Sequence, residues 1–150
     1  RRWGGSFWSS PPTTRCWTVC GALFQDRQVA ELFTGIDLVK IDRIRKSMEN
    51  PRFAARVFSA SERDLFACKK DPYPSFAANF AAKEAFSKAL GAGVRGFALN
   101  EVSVLRDELG APYFVFTGNA ARIVEERGLS FSVSLTHTED TAGAFVIAWR

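Results

Sequence analysis

The stretch Phe80-Ala81-Ala82-Lys83-Glu84-Ala85-Phe86-Ser87-Lys88-Ala89-Leu90-Gly91 decides how the rest of the chain is read. At roughly 100° per residue, Phe80, Glu84, Ser87, Lys88 and Gly91 fall on one side of a helix, and Ala82, Phe86 and Ala89 on the other. The second side is a packing face. The first carries a carboxylate and an ammonium one turn apart. Glu followed by Lys at i+4 is the preferred surface ion pair and stabilises a helix by about 0.2–0.5 kcal/mol. The competing reading is that this pair, set on a mostly apolar helix, lines a cleft.

Upstream, Ser75 is expected to cap this helix after Asp71-Pro72-Tyr73-Pro74 breaks the preceding one. That earlier helix opens at Ser59-Ala60-Ser61-Glu62, which has capping-box spacing, and runs to Lys69. Lys69 and Lys70 stand at its end, where cations are favoured and where they are also within reach of a phosphate. Pro51 to Phe58 forms another helix with Asn50 as cap and Pro51 in the first helical position. It follows a helix from Lys40 to Glu49 with Ile41, Ile44 and Met48 on one stripe. Before these, Leu32 to Val39 reads as a short buried strand. Asp37 in that apolar run needs a partner, either the start of the next helix or a ligand.

Downstream, Gly91, Gly93 and Gly96 make a loop that either ends the helix or lets backbone approach a ligand. Val102, Val104 and nearby apolar residues then read as one strand and Tyr113 to Phe116 as a second, around the turn Asp107-Glu108-Leu109-Gly110. Asn119 is expected to cap a helix from Ala120 to Arg127 that ends at Gly128. Phe131 to Thr138 and Ala144 to Trp149 alternate as two further strands. The short links favour an antiparallel sheet. The fold class is therefore α+β, mostly antiparallel sheet against a long central helix.

With 150 residues, 47% of them hydrophobic and 14 Phe, the chain has core material for one domain. Residues 1–30 differ in composition and are expected to be a poorly ordered leader or upstream extension, with the domain at 31–150. Half of the net charge of +4 comes from the first 33 residues, which hold four Arg against Asp26 and Glu31. The body is only mildly basic, and overall charge implies no nucleic-acid partner. Between Asp37 and Arg56, however, six basic residues face three acidic ones. Arg43, Arg52 and Arg56 form either a solvated face or a docking patch for something anionic. Three cysteines do not make a disulfide framework, and a reducing cytoplasmic compartment fits. No run approaches the roughly 18 apolar residues of a membrane span. A single His argues against a structural zinc site.

Three blocks, Thr34-Gly35-Ile36-Asp37-Leu38-Val39-Lys40-Ile41-Asp42-Arg43-Ile44, Phe80 to Gly91, and Ser134-Leu135-Thr136-His137-Thr138, occur in the order found in one family. Together they resemble the 4′-phosphopantetheinyl transferases, and within them the holo-acyl-carrier-protein synthases, from about Phe33 to Arg150. The resemblance implies Mg²⁺ held by Asp37 and Glu84, with coenzyme A as co-substrate. It implies catalytic roles for Asp37, Glu84, Lys88 and His137, the base being either Lys88 or a metal-bound water. Coenzyme A contacts are implied for Lys83, Ser87, Lys88, Gly91, Gly93, Thr136 and His137, and carrier-protein contacts for Arg43, Arg52 and Arg56.

The implied reaction is attack by a serine of apo-acyl carrier protein on the β-phosphate of coenzyme A. It leaves holo-carrier protein and adenosine 3′,5′-bisphosphate. The short members of the family are homotrimers with active sites between subunits, which also implies burial of part of the Phe surplus. The sequence departs from the family at Asn79, where Arg is frequent, and at Thr136, where Ser is frequent. Two other readings are a noncatalytic basic module for an acidic protein or nucleic acid, and a Mg²⁺-dependent hydrolase of the coenzyme A diphosphate.

Overall fold

A computed structural model describes residues 31–91, 93 and 95–150, so the expectations for residues 1–30 lie outside the described residues. The chain runs β1 (Leu32–Lys40), α1 (Ile41–Met48), α2 (Pro51–Val57), α3 (Ala60–Ala67) and α4 (Tyr73–Ala89). A 3-10 turn (Leu99–Glu101) leads to β2 (Val102–Arg106), β3 (Pro112–Phe116), α5 (Gly118–Arg127), β4 (Ser130–His137) and β5 (Thr141–Trp149). All strand pairs are antiparallel: β1, β5 and β4 form one sheet in that order, and β2 and β3 form a separate hairpin. The architecture is α+β, as the sequence implies.

Alternation along the strands sorts the three-stranded sheet into two faces. Val133 of β4 and Ala142, Ala144, Val146 and Ala148 of β5 are buried against α4. Small residues on both partners, including Ala81, Ala82, Ala85 and Ala89, allow a close approach. The closest point is Gly35, where a Cβ would stand 1.9 Å from the Ala85 carbonyl oxygen and 2.8 Å from the Ala89 nitrogen. Both are backbone atoms and cannot swing aside. Gly35→Ala must therefore push β1 off α4, at a cost of about 1–3 kcal/mol for such overpacking. Urea denaturation will show this as a lower midpoint at unchanged slope; an unchanged midpoint would mean that the two elements are not in contact.

The opposite sheet face is apolar and open. Leu32, Ile36, Leu38, Phe145 and Trp149 on it are between 37% and 68% exposed. Most of the Phe surplus, by contrast, is used inside the chain. Phe86 meets Phe97, Phe114, Phe116 and Phe131 at centroid distances of 5.6, 5.5, 5.1 and 5.0 Å. Among the described residues only Phe33 and Phe145 count as exposed.

The sequence reading of α4 as two-faced needs correction. Lys83 and Ser87 are buried along with Phe76, Ala77, Ala81 and Ala85, so only Phe80, Glu84 and Lys88 retain exposure between Phe76 and Leu90. The reason is position: α4 lies between the sheet and the β2–β3 hairpin, and a helix covered on both sides is buried nearly all round. Two expected caps also shift. α4 starts at Tyr73, whose N–H donates to Asp71 Oδ1 at 3.2 Å, while the Ser75 hydroxyl accepts from Lys69 Nζ at 2.8 Å. In α5 the carboxylate of Glu101 accepts from the Ala120 N–H at 3.2 Å, and Asn119 makes no cap. Asn50 and Ser59 cap as their spacing predicts.

Candidate functional site

The close approach at Gly35 places Asp37, two residues further on the same strand face, beside the C-terminal half of α4. There the helix presents Glu84 and Lys88 one turn apart. Lys88 Nζ donates to Asp37 Oδ1 at 2.9 Å and to the Ile36 carbonyl at 2.7 Å. Glu84 is half-buried in the same cluster. Its carboxyl is pushed above the usual carboxylate range, first by desolvation and then by the Asp37 carboxylate, against smaller opposing effects of Lys88 and Arg43. The structure thus brings Asp37, Glu84, Lys88 and Arg43 together from three elements.

The cluster holds two carboxylates and two cations, of which Lys88 pairs directly with Asp37 while Arg43 is felt at Glu84. Hard oxygen donors without His or Cys suit Mg²⁺, which keeps several waters and takes further ligands from substrate phosphate. The described residues hold no group of three or more His, Cys, Asp or Glu able to cage a metal. A cation here must complete its shell from outside the chain, and the residues fit Mg²⁺ on that condition.

Lys83 and Ser87 lie elsewhere than the resemblance implies. The Lys83 side chain is 0% exposed, and its ammonium donates to Glu62 Oε2 at 2.7 Å and to the carbonyls of Val57, Leu99 and Val102 at 2.8, 3.0 and 2.6 Å. Desolvation lowers its pKa, and Glu62 works in the opposite direction. The Ser87 hydroxyl donates to the Lys83 carbonyl at 2.9 Å and is also buried. Neither polar group is open to a ligand, because each is spent on the interior.

Gly91 and Gly93 are exposed, with φ of 68° and 61°, after the end of α4. Thr136 and His137 stand at the far edge of the sheet. His137 pairs with Ala142, which pairs with Val39, so β5 separates it from the strand of Asp37. The two residues line a cleft of about 370 Å³ with Lys69, Ser75, Arg106 and Pro112. Within one chain they do not join the Asp37 cluster.

Arg43, Arg52 and Arg56 are all exposed. Arg52 and Arg56 border a groove of about 810 Å³ whose walls include Phe53, Phe80, Phe97 and Leu99. Phe53 and Phe80 are stacked at 6.4 Å, and Phe80 lies one turn before Glu84, so the groove touches α4 on the face that carries the carboxylate.

Sequence reasoning missed a buried network. Glu62, read only as a capping residue, is 0% exposed and also receives Asn79 Nδ2 at 2.8 Å and the Val104 N–H at 3.2 Å. Asn79 donates in addition to the Val104 carbonyl at 2.8 Å and accepts from Arg106 at 3.0 Å. The available signal was the presence of an Asn and a Lys in the run Phe76 to Lys83, which is otherwise Ala and Phe.

Comparison with known proteins gives consistent matches. The family model described as 4′-phosphopantetheinyl transferase superfamily matches residues 33–146. The chain is 47% identical over 116 residues to a holo-[acyl-carrier-protein] synthase of Aromatoleum aromaticum, covering 75% of this chain and 93% of the relative. It is 39% identical over 120 residues to the synthase of Caldanaerobacter subterraneus subsp. tengcongensis, covering 79% and 94%. The crystal structure of the Neisseria meningitidis synthase superposes with a TM-score of 0.73 at 36% identity, covering 79% of this chain and 98% of that one. The Helicobacter pylori synthase, solved in complex with coenzyme A, gives 0.67 at 30% identity, covering 77% and 98%.

Proposed function

This chain belongs to the 4′-phosphopantetheinyl transferase superfamily, among the holo-acyl-carrier-protein synthases, and from that premise we propose that it transfers 4′-phosphopantetheine from coenzyme A to a serine of apo-acyl carrier protein. The observation that carries this reading is the convergence of Asp37, Glu84 and Lys88 from β1 and α4. The reaction depends on Mg²⁺ and releases adenosine 3′,5′-bisphosphate.

Asp37 and Glu84 are the residues that would hold Mg²⁺, which supplies charge to offset the leaving phosphate and polarises the diphosphate. The remaining work belongs to the protein. Lys88, more than half exposed, reaches the same diphosphate and stabilises negative charge as the P–O bond breaks. Arg43 adds positive potential on the Glu84 side. The nucleophile comes from the partner, so catalysis is chiefly alignment of the serine hydroxyl with the phosphorus. The exposed Arg43, Arg52 and Arg56 steer and orient an acidic carrier protein.

Thr136 and His137 complete the site from a neighbouring subunit, with adenosine binding shared between them and the Gly91–Gly93 loop. A homotrimer accounts for both their distance from Asp37 in one chain and the open apolar sheet face. Ile36→Asp, on that open face, is expected to yield monomers by light scattering and to lower transfer. A variant that stays oligomeric would place the subunit contact elsewhere. The substrates and the free Cys68 fit the cytoplasm and a role in fatty acid synthesis, and no helix among the described residues is long and apolar enough to cross a membrane.

The deciding experiment is mass spectrometry of apo-acyl carrier protein incubated with the full chain, coenzyme A and Mg²⁺. A mass gain of one phosphopantetheine is expected. No gain from folded protein rejects the transferase. Nucleotide release without carrier protein would favour the hydrolase reading.

A further inference from the structure

Two of the polar atoms that β1 offers to the site, Asp37 Oδ1 and the Ile36 carbonyl oxygen, are already engaged. Lys88 Nζ sits 2.9 Å from Asp37 Oδ1 and 2.7 Å from the Ile36 carbonyl oxygen, within hydrogen-bond range of both. A divalent cation approaching Asp37 and Glu84 therefore meets an ammonium at one of the oxygens it needs. We propose that Lys88 is the resident counter-ion of this carboxylate pair, and that a divalent cation binds tightly only together with a diphosphate that gives the lysine another anion. This rests on the transferase reading and adds to it an internal competitor and a binding order.

The two partners differ in freedom. The Asp37 side chain is 19% exposed and fixed on a strand that is paired along its length, whereas the Lys88 side chain is 54% exposed. A lysine has a flexible four-carbon stem and three rotatable donors, so it is the group that moves. Leaving Asp37 for water would cost it two charge-assisted contacts. Leaving for a diphosphate oxygen exchanges one anion for another. Arg43 stays on the Glu84 side and offsets part of that carboxylate in either state. Cation and diphosphate are thereby coupled, and the coupling must be reciprocal, each tightening the other by the same factor.

The test uses Mn²⁺ as the probe, read by the electron paramagnetic resonance of free ion in the presence of the full chain, with and without coenzyme A and without carrier protein. Wild-type protein is expected to bind Mn²⁺ at least about fivefold more tightly with coenzyme A than without it. Lys88→Met is expected to bind Mn²⁺ at least about fivefold more tightly than wild type when coenzyme A is absent, and to show a smaller effect of coenzyme A. Lys88→Arg, which keeps the charge, is expected to follow wild type. An unchanged or weaker Mn²⁺ affinity in Lys88→Met overturns the proposal, and so does binding to wild type that coenzyme A leaves unaffected. Carrier labelling by wild type is scored separately. Labelling with an unmoved Lys88→Met affinity removes only the counter-ion, whereas wild type that neither labels nor binds Mn²⁺ removes the transferase as well.

Discussion

Glu84→Gln is expected to lower kcat by about 10²–10³-fold, the usual loss when one preorganised electrostatic group is removed, and to melt at a higher temperature than wild type at pH 7. The two effects share one cause. The Glu84 carboxyl is raised above its ordinary value, mainly by desolvation and next by Asp37, so the folded chain holds a proton there more readily than the unfolded chain does. Stability therefore falls as pH rises from the ordinary glutamate range through the raised value, and above that the ionised form carries a constant penalty. Gln carries none. The variant should exceed wild type at neutral pH, and the gap should close on acidification below the ordinary carboxylate range. Thermal melts across pH, run beside the labelling assay and carrier-binding measurements, check all parts. A variant that melts lower at pH 7, or a gap that widens in acid, would show that Glu84 is stabilised where it stands. Carrier binding should survive, because Arg52 and Arg56 are untouched; Arg52→Ala is expected to weaken that binding instead.

Lys83→Met is expected to cost about 3–5 kcal/mol, as breaking a buried ion pair leaves the other charge uncompensated. Glu62 would keep its contacts to Ser59, Asn79 and Val104 but lose its ammonium partner. Three backbone carbonyls would each lose a donor at the same time, although that of Leu99 keeps the Val102 N–H. Adding Glu62→Gln to Lys83→Met removes the stranded charge and should recover part of the loss, since a neutral pair needs less compensation. Urea denaturation of both variants measures this. A single variant within about 1 kcal/mol of wild type, the scale of a surface pair, would mean that the network is wetter than its burial indicates.

How much was legible depended on whether the signal was local. The caps at Asn50 and Ser59 and the left-handed Gly128 are chemistry within a few residues, and they were read correctly. The strands followed from alternation, and the antiparallel pairing of β2 with β3 and of β4 with β5 from short links, whereas the pairing of β1 with β5 joins distant segments and was not read. Asp37 stood out because a carboxylate in an apolar strand needs a partner, and the structure supplies Lys88. The inward turn of Lys83 and Ser87 was not legible. Ala at five positions between Phe76 and Ala85 gives no apolar stripe to orient the helix, and burial on two sides erases the period that a one-sided helix shows. Glu62 was hidden by its own local role, since the capping box explained it fully without the Lys83 partner 21 residues away.

That double duty of Glu62 has a dynamic consequence. One carboxylate closes the first turn of α3, neutralises a cation on α4 and receives an amide from β2, so none of these pieces can fray while the others stay shut. Amide protons at Ser59 and Val104 should then trade with deuterium through one shared opening, a single cooperative unit in place of separate breathing motions.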